Sequence, residues 1–216
     1  MRLAAVQPLV AFAGVGVTRD GNALVDDVDL EIAPGEVVGI SGPNGSGKTT
    51  LLRLVATLLR PDRGEGTVFG ARIGTSQVFG VRRNIGVVGH EPALVPELTI
   101  RENLDHVARL ADLDRSRIVP VLEMVGLAGA ADRRVRAASR GMQRRAEIAQ
   151  ILLRDPSLLL LDEAASGLDR DAQGLIEALT RRVVSRGGAV VTVSHDPAHL
   201  EGCTRVLRIT AGRLSA

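Results

Sequence analysis

Gly42-Pro43-Asn44-Gly45-Ser46-Gly47-Lys48-Thr49-Thr50 lies between an apolar run, Val37-Val38-Gly39-Ile40, and a helical pattern, Leu51-Leu52-Arg53-Leu54-Val55. Strand, glycine-rich loop and helix in that order form a phosphate-binding P-loop. The glycines let backbone N–H groups turn inward on phosphate oxygens where a Cβ would collide. The helix that follows aims its positive end at the same anion. Lys48 is then a point charge for the β- and γ-phosphates, and the Thr49 hydroxyl a ligand for Mg²⁺. Of 27 lysines and arginines, Lys48 is the only lysine. A chain that otherwise uses arginine keeps a compact ammonium where a planar fork would not fit the loop.

Outward from this loop, residues 9–17 and 26–33 read as strands, the first as an edge strand. Val28, Leu30 and Ile32 alternate with Asp29 and Glu31, so one face of the second is solvated. The P-loop helix runs to about Arg60, where Pro61 stops it. A short strand at 66–69 and a helix at 76–83 lead to the strand Ile85-Gly86-Val87-Val88. From Thr99 to about Arg154 the pattern is helical. Thr99 and Glu102 have capping-box spacing, and Pro120 kinks or starts the next helix. Residues 90–155 thus read as a helical subdomain inserted between about 1–89 and 156–216, the two parts of one α/β domain. The core resumes with the buried strand Ser157 to Leu161, ending at Asp162-Glu163. A helix from Asp169 to Ser185 follows, then the strand Ala189 to Val193, ending at Ser194-His195. Strands alternating with helices predict a mainly parallel sheet, whose ligands sit beyond the carboxyl ends of the strands. Lys48, Asp162, Glu163 and His195 all lie just past such ends.

Composition narrows the function. The chain has 216 residues, 45% of them hydrophobic, with three Phe and no Trp or Tyr. One domain with an aliphatic core is the expectation. Net charge is +2, and stacking aromatics for nucleic acid are nearly absent. The single Cys203 excludes an internal disulfide and fits a reducing compartment. No apolar run approaches the roughly 18 residues of a membrane span. The N-terminal Leu9 to Ala13 run is short and preceded by Pro8, which argues for a strand over a signal peptide. A cytoplasmic protein is expected.

An apolar strand ending in an acid is the second half of a P-loop site. Asp162 holds Mg²⁺ through water in this reading, Glu163 polarises the attacking water as general base, and His195 contacts the γ-phosphate. At this point the chain resembles the ATP-binding subunits of ABC transporters. The matching residues are Gly42 to Thr50 (Walker A), Leu158 to Glu163 (Walker B), Ser166-Gly167-Leu168-Asp169 (D-loop) and His195 (switch histidine). Ala138-Ser139-Arg140-Gly141-Met142 stands where the family has its Leu-Ser-Gly-Gly-Gln signature, and the resemblance explains the Arg133–Arg145 cluster as the lead into the signature helix.

The resemblance implies the ABC ATPase fold: a P-loop NTPase core with a mainly parallel sheet, N-terminal antiparallel strands and an inserted helical subdomain. It also implies Mg²⁺ and ATP as cofactors and a second ATPase protomer, homologous or identical. Ser139 and Gly141 would touch the γ-phosphate held by the other protomer's P-loop, and Asp169 would link the two sites. A transmembrane permease subunit would be driven from the cytoplasmic face of the membrane; no nucleic-acid partner is expected. Four departures stand out. Ala138, Arg140 and Met142 replace the signature's Leu, Gly and Gln. Arg19-Asp20 occupies the place of the adenine-stacking aromatic, so Arg19 would stack by its guanidinium plane. Ala164 follows Glu163 where the family commonly has Pro. His90, in Gly89-His90-Glu91-Pro92, replaces the Q-loop Gln. The His90 and Arg19-Asp20 details resemble the haem-exporter ATPase of cytochrome c maturation. The alternative is a soluble ABC-type ATPase, serving for example iron–sulfur assembly.

Overall fold

The computed structural model describes residues 7–164 and 170–215. Two sheets form among them. The first is antiparallel, in the order β2-β1-β4-β5, from β1 (Val10–Arg19), β2 (Asn22–Ile32), β4 (Arg63–Val68) and β5 (Ala71–Arg72). β1 pairs with both β2 and β4. The expected edge strand is therefore interior: β4, which overlaps the short strand expected at 66–69, pairs with its other side, a pairing the sequence pattern did not foretell. Along β2, Val28, Leu30 and Ile32 are buried between exposed Asp29 and Glu31, as alternation requires.

The second sheet has the order β10-β9-β3-β8-β7-β6. Its strands are β3 (Val37–Ser41), β6 (Ile85–Val88), β7 (Leu158–Asp162), β8 (Ala189–Ser194), β9 (Arg205–Thr210) and β10 (Arg213–Ser215). Every pair is parallel except the terminal hairpin of β9 and β10. β9 and β10 were not expected from the sequence, although Leu207 and Ile209 are buried between exposed neighbours in the period of two.

The continuous leucines of β7 are used on both faces. Leu158 and Leu160 join a core shared with the antiparallel sheet and with α1 (Lys48–Val55). Leu159 and Leu161 join a second core with α5 (Arg140–Arg154) and α6 (Arg170–Ser185). A strand covered on both sides needs no polar alternation. Between β6 and β7 the chain is helical, with α3 (Ile100–Leu110), α4 (Ile118–Met124) and short 3₁₀ turns before α5.

Helix ends follow local chemistry. The α3 capping box forms: Thr99 Oγ1 accepts Glu102 N at 3.1 Å, and Glu102 Oε2 accepts Thr99 N at 2.7 Å. Pro120 lies in the first turn of α4, where its missing N–H is tolerated, so it starts the helix without kinking it. α1 stops at Val55, well before Pro61. Thr57 adopts φ 60° there, with Thr57 N donating to Leu54 O (2.9 Å) and Leu58 N to Arg53 O (2.9 Å), the double closure of a Schellman turn. Arg82 holds that turn by donating to Thr57 Oγ1 (3.1 Å) and to Thr57 O (2.7 Å). The helix expected at 76–83 is broken into α2 (Val78–Val81) and a 3₁₀ turn, Arg82–Asn84.

Candidate nucleotide-binding site

The loop 42–47 leaves the C-terminal end of β3, in the middle of the parallel sheet. Register places Ser41 beside Ser194 of β8, and Asp162 of β7 beside Val193. Three neighbouring strands therefore deliver the P-loop, His195 and the Asp162-Glu163 pair to one edge. At Gly47 the backbone has φ 106°, and a Cβ there would lie 2.2 Å from Leu24 O. Only glycine closes that turn. Gly47 also caps α1 without a side-chain hydrogen bond, and the first turn carries no acid. The first-turn N–H groups thus keep the positive potential an anion needs. Ser46 Oγ is buried without a partner in the same loop, an orphan that a phosphate oxygen would satisfy.

Lys48 is 7% exposed, and its Nζ donates to Gly42 O (2.8 Å) and Pro43 O (2.9 Å). The ammonium is thereby pinned inside the loop it serves. Thr49 Oγ1 donates to Asp162 Oδ1 at 3.3 Å. Two oxygen ligands, one from the first turn of α1 and one from the end of β7, thus meet at the mouth of the loop, the hard-donor chemistry that suits Mg²⁺. Among the described residues no cluster of three or more His, Cys, Asp or Glu forms a metal cage. Glu163 has φ 51°. Its Oε1 accepts from His195 N (3.1 Å) and lies 2.9 Å from His195 Nδ1, while Oε2 accepts from Ser194 Oγ at 3.4 Å.

A cleft of about 260 Å³ is lined by Leu24, Asn44, Gly45, Gly47, Lys48, Thr49, Thr50, Asp162 and Glu163. A second, of about 380 Å³, shares Thr49 and Asp162 and reaches Gly89, His90 and Glu91. His90 is thus brought to the metal-ligand side of the site. Arg19 lines neither cleft; it ends β1 opposite Asn22, and Leu24 on β2 faces the loop in its stead. Ser139 and Gly141 also line neither. Ser139 caps α5, its Oγ accepting Met142 N at 3.3 Å, which leaves the hydroxyl proton to donate elsewhere. Asp169 and the rest of Ser166–Asp169 lie outside the described residues.

Sequence reasoning missed Leu24, Ser194 and the buried ion pair of Arg144 and Glu147, 2.6 Å apart on α5. Only the last had a signal, opposite charges three positions apart on one helix face.

The family model for ABC transporters matches residues 25–166. The chain belongs to the ABC transporter family, as an ATPase subunit. Among ABC proteins, it is 34% identical over 209 residues to the Nod factor export ATP-binding protein I of Rhizobium etli, covering 94% of this chain and 66% of that one. To the daunorubicin/doxorubicin resistance ATP-binding protein DrrA of Streptomyces peucetius it is 39% identical over 191 residues, covering 86% and 58%. This ABC chain thus spans roughly two thirds or less of the length of these two relatives. Its fold superposes with a TM-score of 0.85 on the dimeric, post-hydrolysis ATP-binding cassette MJ0796 bound to ADP and Pi, at 27% identity over 96% of this chain and 97% of that one. That likeness covers both sheets and the helical segment of the ABC fold. No described helix of this ABC subunit is long and apolar enough to cross a membrane.

Proposed function

We propose that this ABC ATPase subunit binds Mg-ATP in the P-loop cleft, hydrolyses it in a sandwich of two protomers, and drives export through a separate membrane subunit from the cytoplasmic face. The observation that supports this reading above all is the meeting of Lys48, the Thr49–Asp162 pair and the Glu163–His195 pair at one sheet edge. Lys48 and the first-turn N–H groups of α1 neutralise the β- and γ-phosphates. Thr49 and Asp162 hold Mg²⁺, which offsets phosphate charge when bound. Glu163 orients and deprotonates the attacking water. With Nδ1 turned to Glu163, His195 Nε2 is the ring nitrogen left to face a phosphoryl oxygen.

Ser139 and Gly141, in residues 90–155 read as a helical subdomain, line neither P-loop cleft, which favours a role in the partner's site. The relatives named above are an export protein and a drug-resistance protein, and export is the role proposed here. The haem assignment suggested by His90 and Arg19-Asp20 has no support in those names.

Glu163→Gln tests the reading. It keeps the shape and the contact to His195 N but cannot take a proton. ATP affinity should stay within about twofold, and phosphate release should fall by about 10²- to 10⁴-fold, the range of general-base catalysis. A parent-like rate in the variant would remove Glu163 from the base role.

A further inference from the structure

Arg144 and Glu147 sit on α5, a turn beyond Ser139, with side chains 8% and 2% exposed. Beyond each other, they reach partners off α5. Arg144 Nη1 donates to Gly89 O (2.7 Å) as well as to Glu147 Oε2 (2.6 Å), and Nη2 donates to His90 O (2.9 Å). Glu147 Oε1 accepts Ala93 N at 3.4 Å. One buried pair therefore grips the first residues after β6, among them His90, whose neighbours in the second cleft are Thr49 and Asp162.

Stability does not explain such a pair. Burial raises the Glu147 carboxyl despite Arg144 beside it, so desolvation outweighs the attraction for that group. Replacing a buried ion pair by well-packed apolar residues of similar volume is often neutral or stabilising. What an apolar pair cannot do is hold two particular carbonyls in place with a planar fork of donors.

We propose that Arg144, braced by Glu147, is a positioning residue that fixes His90 over the Thr49–Asp162 side of the site and ties it to the helix headed by Ser139. This rests on the ATPase reading above. The two ends of the reaction, metal side and signature side, are then linked by one side chain, and losing it uncouples turnover from binding.

The test uses the four histidines, His90, His106, His195 and His199, as imidazole resonances in the full chain. In the parent, MgADP should shift His90 and His195 and leave His106, on α3, unmoved. In Arg144→Met/Glu147→Leu the His90 response should be lost and that of His195 kept. Turnover should fall about tenfold or more with KM within about twofold, the split expected when positioning and not binding is lost. An unmoved His106 reports an intact fold. If it moves, Arg144→Lys serves instead: it retains the charge for Glu147 but cannot span both carbonyls, and the same loss is expected. A parent-like His90 response and rate in the folded variant, or a parent His90 indifferent to MgADP, overturns the proposal. Failure of the ATPase reading looks different: the parent itself releases no phosphate.

Discussion

Glu163 occupies the left-handed region at φ 51°, a conformation that costs a non-glycine residue about 1 kcal/mol or more. The contacts to His195 and Ser194 are what hold it there, and in return the carboxylate is presented beside the P-loop instead of along the strand. Leu24 raises a different question, that of the base. With no Trp or Tyr in the chain, and with Arg19 outside both clefts, the apolar face of Leu24 is the surface offered beside Gly47 and Thr50. Exchanging it for Ser removes part of an apolar contact worth about 1.5–3 kcal/mol when fully buried. Leu24→Ser should weaken ATP and ADP together by about tenfold, leaving kcat near the parent value, the signature of uniform binding. Competition titration with both nucleotides checks this. Equal affinity in parent and variant would mean that the base lies elsewhere.

At the scale of elements, helix termini decide what the loops can do. The α3 capping box shapes the start of the helical segment, and the backbone N–H of Thr99, then its side chain, hold the Glu102 carboxyl below the usual glutamate range. A carboxyl depressed in the folded state stabilises fully above its unfolded value of about 4.3, and the contribution is lost as pH falls through the folded value. Thr99→Ala should cost about 1 kcal/mol at neutral pH. Glu102→Ala should destabilise at pH 7 and converge on the parent in acid; denaturant melts at both pH values measure it, and a gap that widens on acidification would contradict the capping role. Thr99 and Glu102 were legible in the sequence because their spacing and their chemistry coincide. So were the P-loop and the strands ending at Asp162 and Ser194, where apolar runs stop at charged or polar residues. The end of α1 was not, because Thr57 takes a left-handed turn that glycine normally marks, and the reason, Arg82, is 25 residues away. Arg144 had its i,i+3 partner Glu147 in plain view, but its grip on Gly89 O and His90 O was hidden for the same cause, because those carbonyls lie more than 50 residues away.

For the whole molecule, the two cores meet across the parallel sheet, whose β7 and β8 residues join one core or the other in alternation. Ser139 is exposed at the head of its helix, with a hydroxyl proton to give, and it lines neither of the two P-loop clefts. In the proposed sandwich, a γ-phosphate held by Lys48 of one chain would be met by Ser139 of the other and so have donors on both sides. Each such donor to developing charge is worth about 3 kcal/mol in related sites, so turnover should rise faster than linearly with protein concentration. The most direct measurement mixes Lys48→Ala with Ser139→Arg. Each variant alone lacks one half of every site, whereas a mixed dimer has one site with an intact Lys48 opposite an intact Ser139. Two inert preparations should recover phosphate release on mixing. A mixture as inert as its parts, or a parent-like rate from Ser139→Arg alone and unchanged on dilution, would contradict a shared site.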